Sequence, residues 1–238
     1  MKHQVKLSEP SKMPCYTWSI SAFDTCPGAV NNNAAYSGYL KDYPKFRESM
    51  QKSDQVDVCK GCYAQYGNYS YPAVIKSRKY NEQDWQKADF VKRMVLTIKG
   101  NDMKYFRFFD SGDIYCVELA EKIHEICIRC PETKFWIPTR SWKILAIRNI
   151  LDKIRDLPNV VVRYSSDSIN GKTIPFKYNS TVVPNNLTKS KPGLLVCQAF
   201  ARDGKCGDCR ACWNKNVKTI AYPAHGIVMK SQLKKMAV

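Results

Sequence analysis

Histidine is nearly absent from this sequence, with three residues in 238. No Ser–His–Asp pattern is built from them. There is no P-loop and no G-x-G-x-x-G, so the usual glycine-rich phosphate cradles are missing. No run of 18 apolar residues occurs, so no membrane span is expected. The opening stretch MKHQVKLSEPSKMP has no apolar h-region, which argues against a secretory signal and for a cytoplasmic location. Internal repeats and low-complexity linkers are also lacking. Acidic residues are few, 21 against 38 Lys and Arg, giving a formal net charge of +17. That balance suits a polyanionic partner such as nucleic acid, or simply a basic surface, and charge alone does not separate the two.

Cysteine, by contrast, is plentiful, at eleven residues. An odd count cannot pair completely within one chain. In a reducing compartment thiols bind metals or do redox chemistry more often than they form disulfides.

At 44% hydrophobic, the chain can build one large core, so a single domain over 1–238 is expected. Residues 1–14 read as a flexible polar arm, 15–196 as a partial barrel and 197–226 as a cysteine-rich segment. Strands are expected at Tyr16–Ala22, Tyr105–Phe109, Phe135–Thr139 and Val160–Tyr164, with shorter apolar runs at 180–183 and 194–197. Helical spacing predicts helices from Asn81 to about Lys99, over 114–130 and over 142–156. An irregular stretch runs from Asp24 to about Asp57, and a basic tail, KSQLKK, ends the chain. Alternating apolar strands and amphipathic helices imply an α/β fold with a parallel sheet. Because only part of the chain obeys the repeat, a partial or irregular (β/α) barrel is expected.

The segment CQAFARDGKCGDCRACW places Cys197, Cys206, Cys209 and Cys212 in a C-x8-C-x2-C-x2-C pattern. Three close thiolates and one distant one suit a [4Fe–4S] cubane, in which each iron takes one thiolate. A four-cysteine zinc site is the alternative, although zinc more often uses two separated C-x2-C knuckles. Lys205 and Arg210 would offset thiolate charge.

Cys26, Cys59 and Cys62 fall in the excursion after the first strand. Parallel sheets gather their sites at that edge. Three thiolates there would leave one iron open; alternatively Cys59 and Cys62 form half of a zinc knuckle shared with the C-terminal set, and Cys26 is a buried loop cysteine. Cys116, Cys127 and Cys130 read as core thiols. Asp110, Gly112 and Asp113 in DSGD, with Arg140 and Arg163, sit at or near strand ends and are candidates for binding a small molecule or cofactor. Asp113 reads equally well as a helix cap. His225, in YPAHG, is a candidate ligand or acid–base group. The aromatic and basic run YGNYSYP, followed by Lys76, Arg78 and Lys79, suits single-stranded nucleic acid or an ordinary surface.

The ordered motifs CPGA, CKGCYAQYGNY, FFDSGDIY, FWIPTRS, C…GKCGDCRACW and YPAHG resemble the phage gene product 88 family over roughly residues 15–226. A wider similarity is to radical S-adenosylmethionine enzymes. That likeness implies a partial barrel, a cluster on Cys26, Cys59 and Cys62, S-adenosylmethionine near DSGD, and an auxiliary cluster on the C-terminal four. The cysteine spacing departs from that of those enzymes, because Cys26 is 32 residues from Cys59 rather than in one short loop. If phage-encoded, the protein would work in the host cytoplasm. Two functions are carried forward. One is an iron–sulfur enzyme of unknown substrate, with one or two clusters. The other is a non-catalytic metalloprotein that binds nucleic acid through its basic surface.

Overall fold

A computed structural model describes residues 5–22, 24–27, 56–184, 189–190 and 192–236. Most of the irregular stretch expected from Asp24 to Asp57 lies outside the described residues. Seven strands form one sheet: β1 (Tyr16–Trp18), β2 (Tyr105–Phe108), β3 (Lys134–Thr139), β4 (Val160–Ser165), β5 (Asn179–Val183), β6 (Leu194–Val196) and β7 (Thr219–Pro223). Every pairing is parallel. Around it lie helices α1 (Asp57–Lys60), α2 (Pro72–Asp84), α3 (Phe90–Gly100), α4 (Val117–Arg129), α5 (Leu145–Asp156) and α6 (Ile227–Met236).

The strand order is β1-β2-β3-β4-β5-β7-β6. Its edges, β1 and β6, do not pair with each other among the described residues, so what is observed of the expected partial barrel is a seven-stranded parallel sheet without closure. The helix expected over 81–99 is two helices. Asp84, at the end of α2, accepts hydrogen bonds from Lys87 and Arg93 and ties the break together. The basic tail folds as α6. The arm is docked from residue 5 onward: Val5 and Met13 are buried, and Ser8 and Thr17 exchange backbone hydrogen bonds of 2.9 and 2.8 Å. No helix among the described residues is long and apolar enough to cross a membrane.

Alternation along the strands sorts side chains onto two faces. Phe106, Phe108, Phe135, Ile137, Val160 and Val162 pack into the main core with apolar residues of α3, α4 and α5. Tyr105, Arg107, Trp136 and Arg163 alternate with them and face the other way.

What fills that second face follows from topology. The chain steps steadily from β1 to β5, places β6 at the far edge, then returns to insert β7 between β5 and β6. A right-handed crossover made in the reverse direction lies on the opposite face from the α4 and α5 crossovers. Residues 197–218 are that crossover, and they carry the four C-terminal cysteines. Trp213 anchors it, meeting Tyr105 and Trp136 edge-on at 5.5 and 5.3 Å and donating its Nε1–H to the Phe106 carbonyl at 2.9 Å.

Candidate metal centre

The crossover is pinned by Arg163, which is wholly buried. Its guanidinium donates to five backbone carbonyls, those of Ala211, Cys212, Asn214, Val217 and Lys218, at 3.0–3.5 Å. No carboxylate lies within ion-pair distance of it among the described residues. The candidate small-molecule binder of the sequence therefore has its donors engaged inside the protein.

Cys206 and Cys212 pack in one nest with Met13, Trp136, Trp213, Tyr105 and Tyr222. Cys15, a residue that spacing does not single out, packs in the same nest. It is brought there by the arm, whose Lys12 carbonyl accepts the Cys206 N–H at 2.8 Å. Cys197 ends β6 and donates its N–H to the Ala221 carbonyl at 2.8 Å. Electrostatically it is a neighbour of both Cys206 and Cys212. Cys209 neighbours Cys206.

Burial disfavours the charged form of these thiols. It pushes Cys15 up to about 12 and Cys212 up to about 11. Cations pull the other way: Arg107 and Arg210 on Cys15, Lys12 and Arg202 on Cys206, Arg163 and Arg107 on Cys212. The Tyr222 hydroxyl lies 3.4 Å from the Cys212 sulfur. Arg107, not anticipated from the sequence, stacks over Trp136 at 4.3 Å. Among the described residues, no three His, Cys, Asp or Glu side chains are drawn together tightly enough to hold a single metal ion. Tetrahedral zinc needs sulfurs about 3.8 Å apart, from a Zn–S length of about 2.3 Å. A cubane spreads its thiolates over the corners of a larger object.

By type alone, these thiols are the donors that such a cluster takes. Four thiolates on a cubane leave a net negative charge. Here that charge would meet Arg163, which has no carboxylate in ion-pair contact among the described residues, and Arg107, which also feels the Asp110 carboxylate.

The second cysteine group lies at the carboxyl ends of the strands. Cys59 is buried in α1 and Cys26 packs against the same small core, with Ile169 and Ala224. The Val58 N–H donates to the Asp167 carbonyl, which seats α1 over the β4 loop. Burial raises Cys59 to about 11, against the pull of Arg140 and Lys143. Cys62 is raised likewise, again with Arg140 beside it.

Of the DSGD residues, three are engaged in holding the fold, Ser111 by donating its hydroxyl to the Ile20 carbonyl at 2.9 Å. Asp113 accepts from the Thr139 hydroxyl at 2.6 Å, the Arg140 N–H at 2.7 Å and the Ile114 N–H at 2.8 Å. It locks the β2 loop to the β3 loop, while Cys116 occupies the cap position of α4. Gly112 has φ +77°, and a Cβ there would lie 2.5 Å from Ile20 Cγ1 and 2.7 Å from the Ile20 carbonyl. Asp110 is different: it faces Arg78 at 3.6 Å, and its buried Oδ1 has no hydrogen-bond partner. Arg140 approaches Asp167 at 3.8 Å, and its Nε is likewise without a hydrogen-bond acceptor.

A stack joins the two cysteine groups. Tyr63, next to Cys62, stacks on His225 at 6.0 Å, and His225 meets Phe200 at 4.9 Å. Burial and the nearby Lys12 and Lys230 disfavour the charged imidazole. Beyond the stack lies a cavity of about 320 Å³, lined by Cys197, Gln198, Phe200, His225 and Lys230 among others. Cys116, Cys127 and Cys130 are core thiols, each no more than 2% exposed.

A family model described as Gene product 88 matches residues 2–215. No curated protein and no solved structure matches the chain.

Proposed function

We propose that this chain, which belongs to the Gene product 88 family, binds a [4Fe–4S] cluster on the thiols of its C-terminal cysteine group. One observation carries the reading: several thiols converge on a buried sheet face beside Arg107 and Arg163, and Arg163 has no carboxylate in ion-pair contact among the described residues. A bound cluster supplies one-electron chemistry. The chain's own residues have separate tasks. Arg163 holds the loop in place, Trp136 and Trp213 keep water out, and the Tyr222 hydroxyl is placed to hydrogen-bond the Cys212 sulfur and tune it. The cavity beside Cys197 has the size of a small-ligand site. Anaerobic purification tests the reading: a brown protein containing iron and sulfide supports it, and a colourless protein with one zinc sinks it.

An enzyme of the radical S-adenosylmethionine type is a finer reading. It needs an open iron on Cys26, Cys59 and Cys62, with Asp110 and Arg140 left to meet the ligand. Mixing the reduced protein with S-adenosylmethionine and finding no 5′-deoxyadenosine would count against it.

A second function is favoured by the surface of the YGNYSYP run. Tyr66 and Tyr71 are 52% and 57% exposed, and Lys76 and Lys79 are exposed on α2. Exposed rings between cations suit single-stranded nucleic acid. Fluorescence anisotropy with a labelled oligonucleotide tests this. Affinity that falls steeply with salt and drops in Tyr66→Ala/Tyr71→Ala supports it. Unchanged affinity in that variant rejects it.

A further inference from the structure

The C-terminal group holds five thiols, Cys15, Cys197, Cys206, Cys209 and Cys212, whereas a cubane needs four. Their placements differ. Cys15, Cys206 and Cys212 share the aromatic nest under Trp136 and Trp213. Cys197 sits at the rigid end of β6, bonded to β7. Cys209, like Cys197, lies outside the nest, but unlike Cys197 it is not anchored at a strand end. It is half-buried on the turn after Gly207, its N–H returns to the Cys206 carbonyl, and its own carbonyl accepts from Arg210.

The arm reaches the nest by several independent contacts. The Cys206 N–H donates to the Lys12 carbonyl. Met13 is buried in one cluster with Trp136 and Trp213, with its sulfur 3.6 Å from Arg107 Nη1. Lys12 lies over the Phe200 ring at 5.3 Å. Cys15 is thus held against the crossover by the two or three residues before it, directly ahead of β1.

We propose that Cys15 is a ligand of the cluster, in a set made of Cys15, Cys197, Cys206 and Cys212, with Cys209 outside it. This rests on the cluster reading above and changes its ligands. It also gives the metal a structural task. Cys15 leads into the edge strand β1 and Cys197 leaves the opposite edge strand β6. A cluster bound by both links the two edges that no backbone pairing joins among the described residues.

The rival is that Cys15 only packs as a small apolar side chain. Cys15→Ser, Cys209→Ser and, as a control for losing a buried thiol, Cys116→Ser are purified anaerobically as full chains. Iron and acid-labile sulfide are measured per chain, with the reduced EPR spectrum and far-UV circular dichroism. Wild type and Cys209→Ser are expected to hold about four irons with matching spectra. Cys15→Ser is expected to keep its dichroism and to hold less than half the wild-type iron, or to give a changed EPR signal from oxygen ligation. Wild-type iron and spectrum in Cys15→Ser overturn the proposal. Loss of the cluster from folded Cys209→Ser also overturns it, and that arm decides should Cys15→Ser not fold. Iron absent from wild type itself refutes the cluster reading instead, so the two failures are distinct.

Discussion

Arg163 offers the sharpest test of how the cysteine crossover is held. Arg163→Met keeps most of the buried volume and removes every donor. Four of the five contacts are within 3.2 Å and one is at 3.5 Å. A hydrogen bond to a charged group contributes about 1.5–3 kcal/mol, but removing the guanidinium also relieves its burial cost of several kcal/mol. The remaining loss comes from the carbonyls. If water reaches half of the four, two stay stranded at about 2 kcal/mol each, for a loss of about 4 kcal/mol. Arg163→Lys brings one ammonium with three donors, which cannot span the whole arc, and is expected to lose about 2 kcal/mol. Urea unfolding of the metal-free protein, followed by tryptophan fluorescence, measures both. The expected order is wild type, then Lys, then Met. A Met variant within about 1 kcal/mol of wild type would refute the idea that these bonds seat the crossover.

Gly112→Ala is expected to cost about 3 kcal/mol, from positive-φ strain plus collision with the fixed Ile20 carbonyl; a chain of this size should lose about 6–10 °C in Tm, and a shift under 2 °C would reject the close approach. Asp113→Asn points a donor at a donor and is expected to cost about 2 kcal/mol, seen as faster hydrogen exchange at the Arg140 amide; unchanged exchange counts against the lock. Asp84 gives a pH prediction. Burial raises its carboxyl, but hydrogen bonds and charge from Arg93 and Lys87 prevail and hold it below the usual 3.8. Its folded pKa lies under its unfolded one, so its contribution is present above about pH 4 and fades as pH falls. The stability gap between wild type and Asp84→Asn should therefore narrow from pH 5 to pH 3, and a constant gap sinks the assignment.

The sheet is largely legible because its strands are short, apolar and separated by helices with clear periodicity. Strands β2, β3, β4, β5 and β6 lie within a residue of their expected bounds. β7 is missed, since TIAYP follows a polar loop and has no amphipathic helix before it to mark a βαβ unit. Helix α6 is missed because its Lys-rich run has little apolar stripe. The C-terminal thiols are visible from spacing, since Cys206, Cys209 and Cys212 fall within one local turn. Cys15 is not, because nearly two hundred residues separate it from its nest. Arg107 leaves a faint signal: in YFRF it alternates with buried phenylalanines, so a strand reading puts its charge on the sheet face opposite the helices. Asp113 and Arg163 are read as open to ligand because sequence shows strand ends but not which polar atoms the next loop engages.

Under the proposed cluster reading the two cysteine groups are separate sites, which iron counting can check. The charged neighbours of Cys59 include Arg140, Asp167 and Lys143, with the Cys62 thiol beside them. Those of Cys206 and Cys212 include Lys12, Arg163 and Arg107, with Cys197 common to both. Between the groups stand the rings of Tyr63, His225 and Phe200, whose centroids are 6.0 and 4.9 Å apart in sequence along the stack. A single four-thiolate centre would have to displace that stack and draw α1 away from its bond to the Asp167 carbonyl. The double variant Cys59→Ser/Cys62→Ser should therefore keep about four irons per chain, with the EPR signal of the C-terminal cluster intact. Any iron bound at the strand-end group would be lost on its own, lowering the wild-type total by a separable amount. Complete loss of iron from a folded double variant would mean that the thiols share one centre, and that the ring stack moves to let them meet.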